Sequence, residues 1–200
     1  MRWALLVAAL VLGVAAPVAH ADGDPASDYL YTQQVFVPFD IKASTQTLGD
    51  LRRTVAGATQ AGFRIRVAVI GSPYDLGAVP ALWRKPRTYA RFLGAELAFV
   101  YKGRLLIVMP NGFGFYRRGH PVTREYATLA GVSIEPGAEG LVRAAQHAVS
   151  QLAAAAGVRV AAARPPHSTA NRDRLIILLA AAALVVLALL VRLLLRRRRA

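Results

Sequence analysis

Few residue types in this chain can carry chemistry. Of its 200 residues none is cysteine, four are histidine and 11 are acidic. Thiol catalysis, disulfides, iron–sulfur clusters and cysteine zinc sites are therefore excluded. His120 and His147 have no serine or carboxylate partner at a recognisable spacing, and the chain has no nucleophile elbow, HExxH helix or P-loop. Gly112-Phe113-Gly114 lacks the third glycine and the following helix of a phosphate-binding loop, so it reads as a turn ending a strand. Asp22, Asp24 and Asp28 lack the glycine and distal glutamate of a calcium loop and read as a solvated N-terminal segment. No metal, cofactor or catalytic residue is assigned. Two basic clusters remain, each with aromatics nearby: Arg84, Lys85, Arg87 and Arg91, and then Arg117, Arg118 and Arg124 with His120. Arginines in such groups suit anionic headgroups or wall phosphate, and otherwise form a solvated face.

Both ends of the chain are apolar, and they are flanked differently. Residues 4–16 follow Arg2 and precede Ala19-His20-Ala21, whose two alanines are the small residues a signal peptidase reads. Residues 1–21 are thus expected to be a signal peptide cut after Ala21. Residues 175–191 are uncharged and would rise about 26 Å as a helix, and residues 193–195 extend them toward the roughly 30 Å of a bilayer core. A membrane span is expected over 175–195. Arg192 and the four arginines from 196 to 199 place the tail of 196–200 in the cytoplasm by the positive-inside rule. The domain of residues 22–158 then lies outside the cytoplasm, joined to the span by a linker over 159–174 with Pro165-Pro166. The formal charge is +14, but residues 22–171 hold 17 basic and 10 acidic residues, a net +7. Nucleic acid is not an expected partner of an exported domain. Anionic lipid, wall polymer and other envelope or membrane proteins are.

The elements between the ends must position these residues. Residues 29–41 alternate and contain Pro38, which fits either a short edge strand or an extended wrap. Thr47-Leu48-Gly49-Asp50 resembles a capping box opening a helix with Leu48, Leu51, Val55 and Ala58 on one face. Residues 63–70 form the clearest strand, with Phe63, Ile65, Val67 and Val69 facing one way and Ala68 and Ile70 the other. Residues 76–97 read as helical with a break at Pro86. Residues 97–101 and 104–109 read as a hairpin turning at Lys102-Gly103. Two helices follow, over 122–130 and 138–156, the second with Leu141, Ala145, Ala148 and Leu152 on one face. The order predicts an α/β fold, a small mixed sheet covered by helices on both faces. If the connection from the 63–70 strand to the hairpin is a right-handed crossover, that strand is parallel to one of the hairpin strands. Asp75, Asn111, Gly112 and Gly114 would then share the edge beyond the strands' carboxyl ends, where open α/β sheets bind ligands. A shallow site is expected there, against the alternative that Asp75 caps the next helix.

The order of elements and several local motifs resemble the TPM domain family. The matching features are Ser27-Asp28-Tyr29, the strand over 65–70, Tyr89-Ala90, the apolar runs over 97–109, Gly112-Phe113-Gly114 and the terminal helix over 140–152. The resemblance spans roughly residues 27–157. It implies an exported domain with a small sheet between helices, commonly followed by a transmembrane helix. It implies either an accessory role beside membrane proteins or a phosphatase activity. Leu93-Gly94-Ala95-Glu96 carries one carboxylate where family members often have an acidic or Asn/Gly-rich loop. That departure counts against metal-dependent hydrolysis. The expected function is a membrane-tethered interaction or scaffolding module, with an envelope phosphatase as the alternative.

Overall fold

Residues 23–160 are described by a computed structural model. The expected signal segment of 1–21, the expected span of 175–195 and the basic tail lie outside them. Among the described residues no helix is long and apolar enough to cross a membrane.

Helix α1 (Pro25–Thr32) leads into β1 (Val35–Phe36), α2 (Thr45–Gln60) and β2 (Ile65–Val69). Two short 3-10 turns, Pro73–Leu76 and Pro80–Leu82, precede α3 (Pro86–Glu96). Then come β3 (Arg104–Met109), β4 (Gly112–Arg117), α4 (Thr123–Leu129) and α5 (Gly137–Ala155). The sheet is mixed and four-stranded, in the order β1-β2-β3-β4. The first three strands are parallel, and β4 runs antiparallel to β3. This is the α/β fold the alternation of patterns predicts, with β1 as the edge strand and β2 parallel to β3.

Strand alternation sorts the core into two layers. Ile65, Val67 and Val69 of β2 and Leu106 and Val108 of β3 face α2 and α5, where Leu51, Val55, Leu141, Ala145, Ala148 and Leu152 are buried. Ala68 and Ile70, with Leu105, Ile107 and Met109, face α1 and α3 and meet Leu30, Tyr89 and Leu93. Strands apolar on both faces, as β2 and β3 are, belong in a sheet covered on both sides.

Several expected boundaries are corrected. The segment after residue 21 is not a solvated tail, because Asp24 is buried and caps α1. Helix α2 begins before Thr47: Ser44 is its cap, and the Ser44 hydroxyl accepts from the Thr47 N–H at 3.1 Å. The same cap is tied to α5, since Glu139 accepts from the Ser44 N–H at 2.8 Å and from the Thr47 hydroxyl. These donors hold the Glu139 carboxyl below its ordinary range. Pro86 starts a helix rather than breaking one, as a proline at the first helical position does.

The hairpin turn also moves. Residues 97–99 are a 3-10 continuation of α3, and the Val100 and Tyr101 N–H groups both donate back to the Leu97 carbonyl. Leu97 lies four residues beyond Leu93 and is buried with it, so helical spacing holds this segment out of the sheet. The real hairpin turns at Pro110-Asn111, with Met109 opposite Gly112. Gly112-Phe113-Gly114 therefore opens a strand instead of ending one. Gly112 has φ +144°, which a non-glycine residue rarely adopts, and it lets the chain re-enter the sheet directly after the turn.

Candidate functional site

Two places gather the residues the sequence singles out. The first is the carboxyl edge of the parallel strands. Asp75 and Asn111 both lie there, as the parallel pairing of β2 and β3 requires. Their side chains do different work. Asp75 is buried and accepts from the Gly71 and Ser72 N–H groups at 2.7 and 2.8 Å and from the Ser72 hydroxyl at 3.1 Å. It closes a capping box on the 3-10 turn after β2. The Asn111 amide donates to the Arg84 carbonyl at 2.7 Å and fastens the β3–β4 turn to the loop before α3. Arg84 itself has φ +59°, a left-handed backbone that this contact helps to hold. A cavity of about 560 Å³ does open at this edge. It is bordered by Asp40, Ser72, Pro110 and Glu135, and neither Asp75 nor Asn111 is among its lining residues.

Gly112 and Gly114 differ as well. Gly112 borders a depression beneath α4 together with Asn111 and Arg87. Gly114 is buried on the α3 side of β4, where an added Cβ would lie 1.9 Å from the Pro86 carbonyl oxygen. Its role is to admit the first turn of α3 onto the strand. Gly94 does the same one helix length on, where a Cβ would meet the Tyr116 ring at 2.1 Å. Between them these glycines let α3 lie close along β4.

That close approach builds the second place. Arg87 and Arg91, one helical turn apart on α3, face Arg117 and His120 from β4 and the loop after it. The two clusters that stand 26 residues apart in sequence thus meet in one cleft of about 560 Å³. Arg84, Lys85 and Arg118 are exposed and do not line it. Arg124 lines the next groove, beside Arg104 and Arg117. The cleft is walled by aromatics. The Tyr126 hydroxyl accepts from the Phe115 N–H at 2.9 Å and donates to the Phe115 carbonyl at 3.1 Å, so it satisfies the free edge of β4. Its ring is thereby fixed, and the Arg87 guanidinium lies 4.3 Å from the ring centroid.

No carboxylate lines this cleft. Among the described residues the ion pairs are Arg53–Asp50 and Arg143–Glu139, and both lie on other elements. Arg117 also faces Arg104 across the β3–β4 ladder. Burial, and after it the charge of Arg117, lowers the Arg104 guanidinium from its ordinary value. Glu125 borders the neighbouring groove and partly offsets the charge on Arg104. The lining of the cleft itself is of one sign, which is the arrangement that attracts an anion. Among the described residues no three histidine, aspartate or glutamate side chains gather where they could hold a metal ion.

Sequence reasoning separated the two basic clusters because it placed residues 112–114 in a turn. It had no reason to single out Tyr126, whose part depends on the unpaired edge of β4. Comparison with known proteins finds no family model, no curated protein and no solved structure that matches the chain.

Proposed function

We propose that the chain is a membrane-tethered extracytoplasmic interaction module of the TPM type, which holds envelope or membrane-protein partners through the basic face between α3 and β4. The observation that carries this reading is the convergence of Arg87, Arg91, Arg117 and His120 on one cleft without a carboxylate in its lining. Support for the tether comes from the apolar run of 175–195 and the arginines that follow it. Support for export comes from the N-terminal segment ending at Ala21. The cleft belongs to the end of the domain where the described chain finishes. Arg117 borders both the cleft and the groove beside Ala155 and Ala156, the last turn of α5. Only residues 161–174 separate that end from the expected span. At most they reach about 50 Å when fully extended, so a partner within the same membrane is in range.

The test is crosslinking of the full-length chain in its native membranes. Arg87→Glu/Arg91→Glu is expected to lower capture of its partners at least fivefold, while Lys42→Glu/Arg52→Glu, with the same change in net charge outside the cleft, leaves capture unchanged. Equal capture by wild type and the cleft variant overturns the reading. So does metal-dependent hydrolysis of an aryl phosphate by the full-length chain that persists in the Arg87→Glu/Arg91→Glu variant, which would establish the phosphatase alternative.

A further inference from the structure

The cleft between α3 and β4 has a narrower chemistry than a basic face. Its volume of about 560 Å³ lies in the range of small-molecule pockets and is many times the roughly 30 Å³ that one water occupies. A bare inorganic anion would leave most of it empty. The cationic and imidazole groups are three guanidiniums and His120, and the rest of the wall includes Phe115, Val122 and the two tyrosines Tyr116 and Tyr126. We propose that this cleft binds a phosphate ester, with the phosphate held by Arg87, Arg91 and Arg117 and the organic part lying on Tyr116 and Tyr126. The proposal deepens the interaction-module reading and rests on it for the biological source of the ester.

Three features suit the site to that ligand. Guanidinium groups donate paired hydrogen bonds that match the geometry of phosphate oxygens. The site is also built before the ligand arrives. Arg87 is stacked on a Tyr126 ring that two hydrogen bonds fix to β4, and α3 is seated on that strand through Gly114. Preorganisation of this kind lowers the entropic cost of binding. Finally, the arginines repel one another, none is ion-paired among the described residues, and Glu125 stands in the neighbouring groove and not in the cleft lining, so an arriving dianion relieves a charge that the fold leaves there.

The same phosphate chemistry reaches this cleft from two sources, a soluble ester or the headgroup of an anionic lipid. The experiment follows the rate at which phenylglyoxal modifies Arg87 and Arg91 in the full-length chain, read by mass spectrometry. In non-ionic detergent, glycerol 3-phosphate is expected to slow modification of both at least fivefold, glycerol to leave it unchanged, and Arg52 to react at the same rate throughout. Arg117→Gln is expected to raise the required concentration of glycerol 3-phosphate at least tenfold. Arg117 is half-buried opposite Arg104 and its side chain makes no ion pair among the described residues, so its loss relieves that repulsion. In bilayers without added ester, slower modification in phosphatidylglycerol than in phosphatidylcholine assigns the headgroup as the source. Equal rates there, with protection by the soluble ester, assign the free ester. No protection from either source, or equal protection of Arg52, overturns the proposal. If phosphate esters fail to protect while crosslinked capture still depends on Arg87 and Arg91, the phosphate site falls and the module stands. If protection holds while capture does not depend on them, the reverse is true.

Discussion

Gly114→Ala is expected to destabilise the domain by about 3 kcal/mol or more, the upper end of what overpacking costs. An added Cβ would lie 1.9 Å from the Pro86 carbonyl oxygen, 2.5 Å from its carbon and 3.0 Å from the Ala90 Cβ. Two of these three atoms are backbone, so no side-chain rotation relieves the overlap. Helix α3 would have to lift from β4 by more than an ångström. That would open the layer holding Tyr89, Ala90 and Leu93, which are all fully buried. The melting temperature of the domain of residues 22–160 should fall by about 10 °C, and the urea midpoint should fall without a change in slope. Gly131→Ala is the comparison, because its Cβ would meet nothing nearer than 3.6 Å and its φ is ordinary. It is expected to stay within about 0.5 kcal/mol of wild type. The pair also decides what Gly112-Phe113-Gly114 is for. A phosphate-cradling loop would lose binding and keep stability when Gly114 is changed, whereas a packing glycine loses stability first.

This glycine also marks where the sequence was readable and where it was not. The apolar runs within residues 63–70 and 104–109 are strong because both strands bury side chains on two faces, and both strands lie where those runs put them. The face of α5 holding Leu141, Ala145, Ala148 and Leu152 is as regular and is buried as expected. Strand β4 is the opposite case. Its second face is emptied of side chains at Gly114 to receive α3, so a strand looks like a loop. The apolar residues 97–101 then supply a false partner for β3. From that one misreading, Arg87 and Arg91 stay apart from Arg117 and His120, since only an antiparallel β4 beside α3 brings them together. Asp75 could be read either way from sequence alone. A carboxylate three residues after a serine fits a cap as well as a ligand, and its hydrogen bonds to Gly71 and Ser72 make it the cap.

The other large effect follows from a buried carboxylate near the expected mature N-terminus, and it has an unusual sign. Asp24 is 4% exposed and accepts from the Ala26 N–H at 3.1 Å, while the Tyr89 hydroxyl donates to its two oxygens at 2.7 and 2.8 Å. Burial pushes its carboxyl up to about 6 despite these donors, and Glu96 at the end of α3 adds to the rise. The folded state therefore holds this proton more tightly than the unfolded chain, whose carboxyl has its ordinary value near 3.8. The stabilisation is complete below about pH 4 and is lost as pH rises toward about 6. Two pKa units correspond to about 3 kcal/mol. Asp24→Asn keeps an acceptor for both the Ala26 N–H and the Tyr89 hydroxyl and cannot titrate. Stability of wild type relative to Asp24→Asn should thus fall by about 3 kcal/mol between pH 4 and pH 7. The difference between the two proteins isolates Asp24 from Glu139, whose lowered carboxyl acts in the opposite direction. Tyr89→Phe should cost about 2–3 kcal/mol at pH 7.5, where it leaves a buried carboxylate with one fewer donor. At pH 4.5 the cost should be about half as large, because the neutral acid needs that donor less. Chemical unfolding of the three proteins across this range reads both effects. A wild-type stability that climbs through pH 4–6 relative to Asp24→Asn would mean that the donors around Asp24 outweigh its burial. The N-terminal helix would then be anchored by a fully compensated charge, with no coupling to acid.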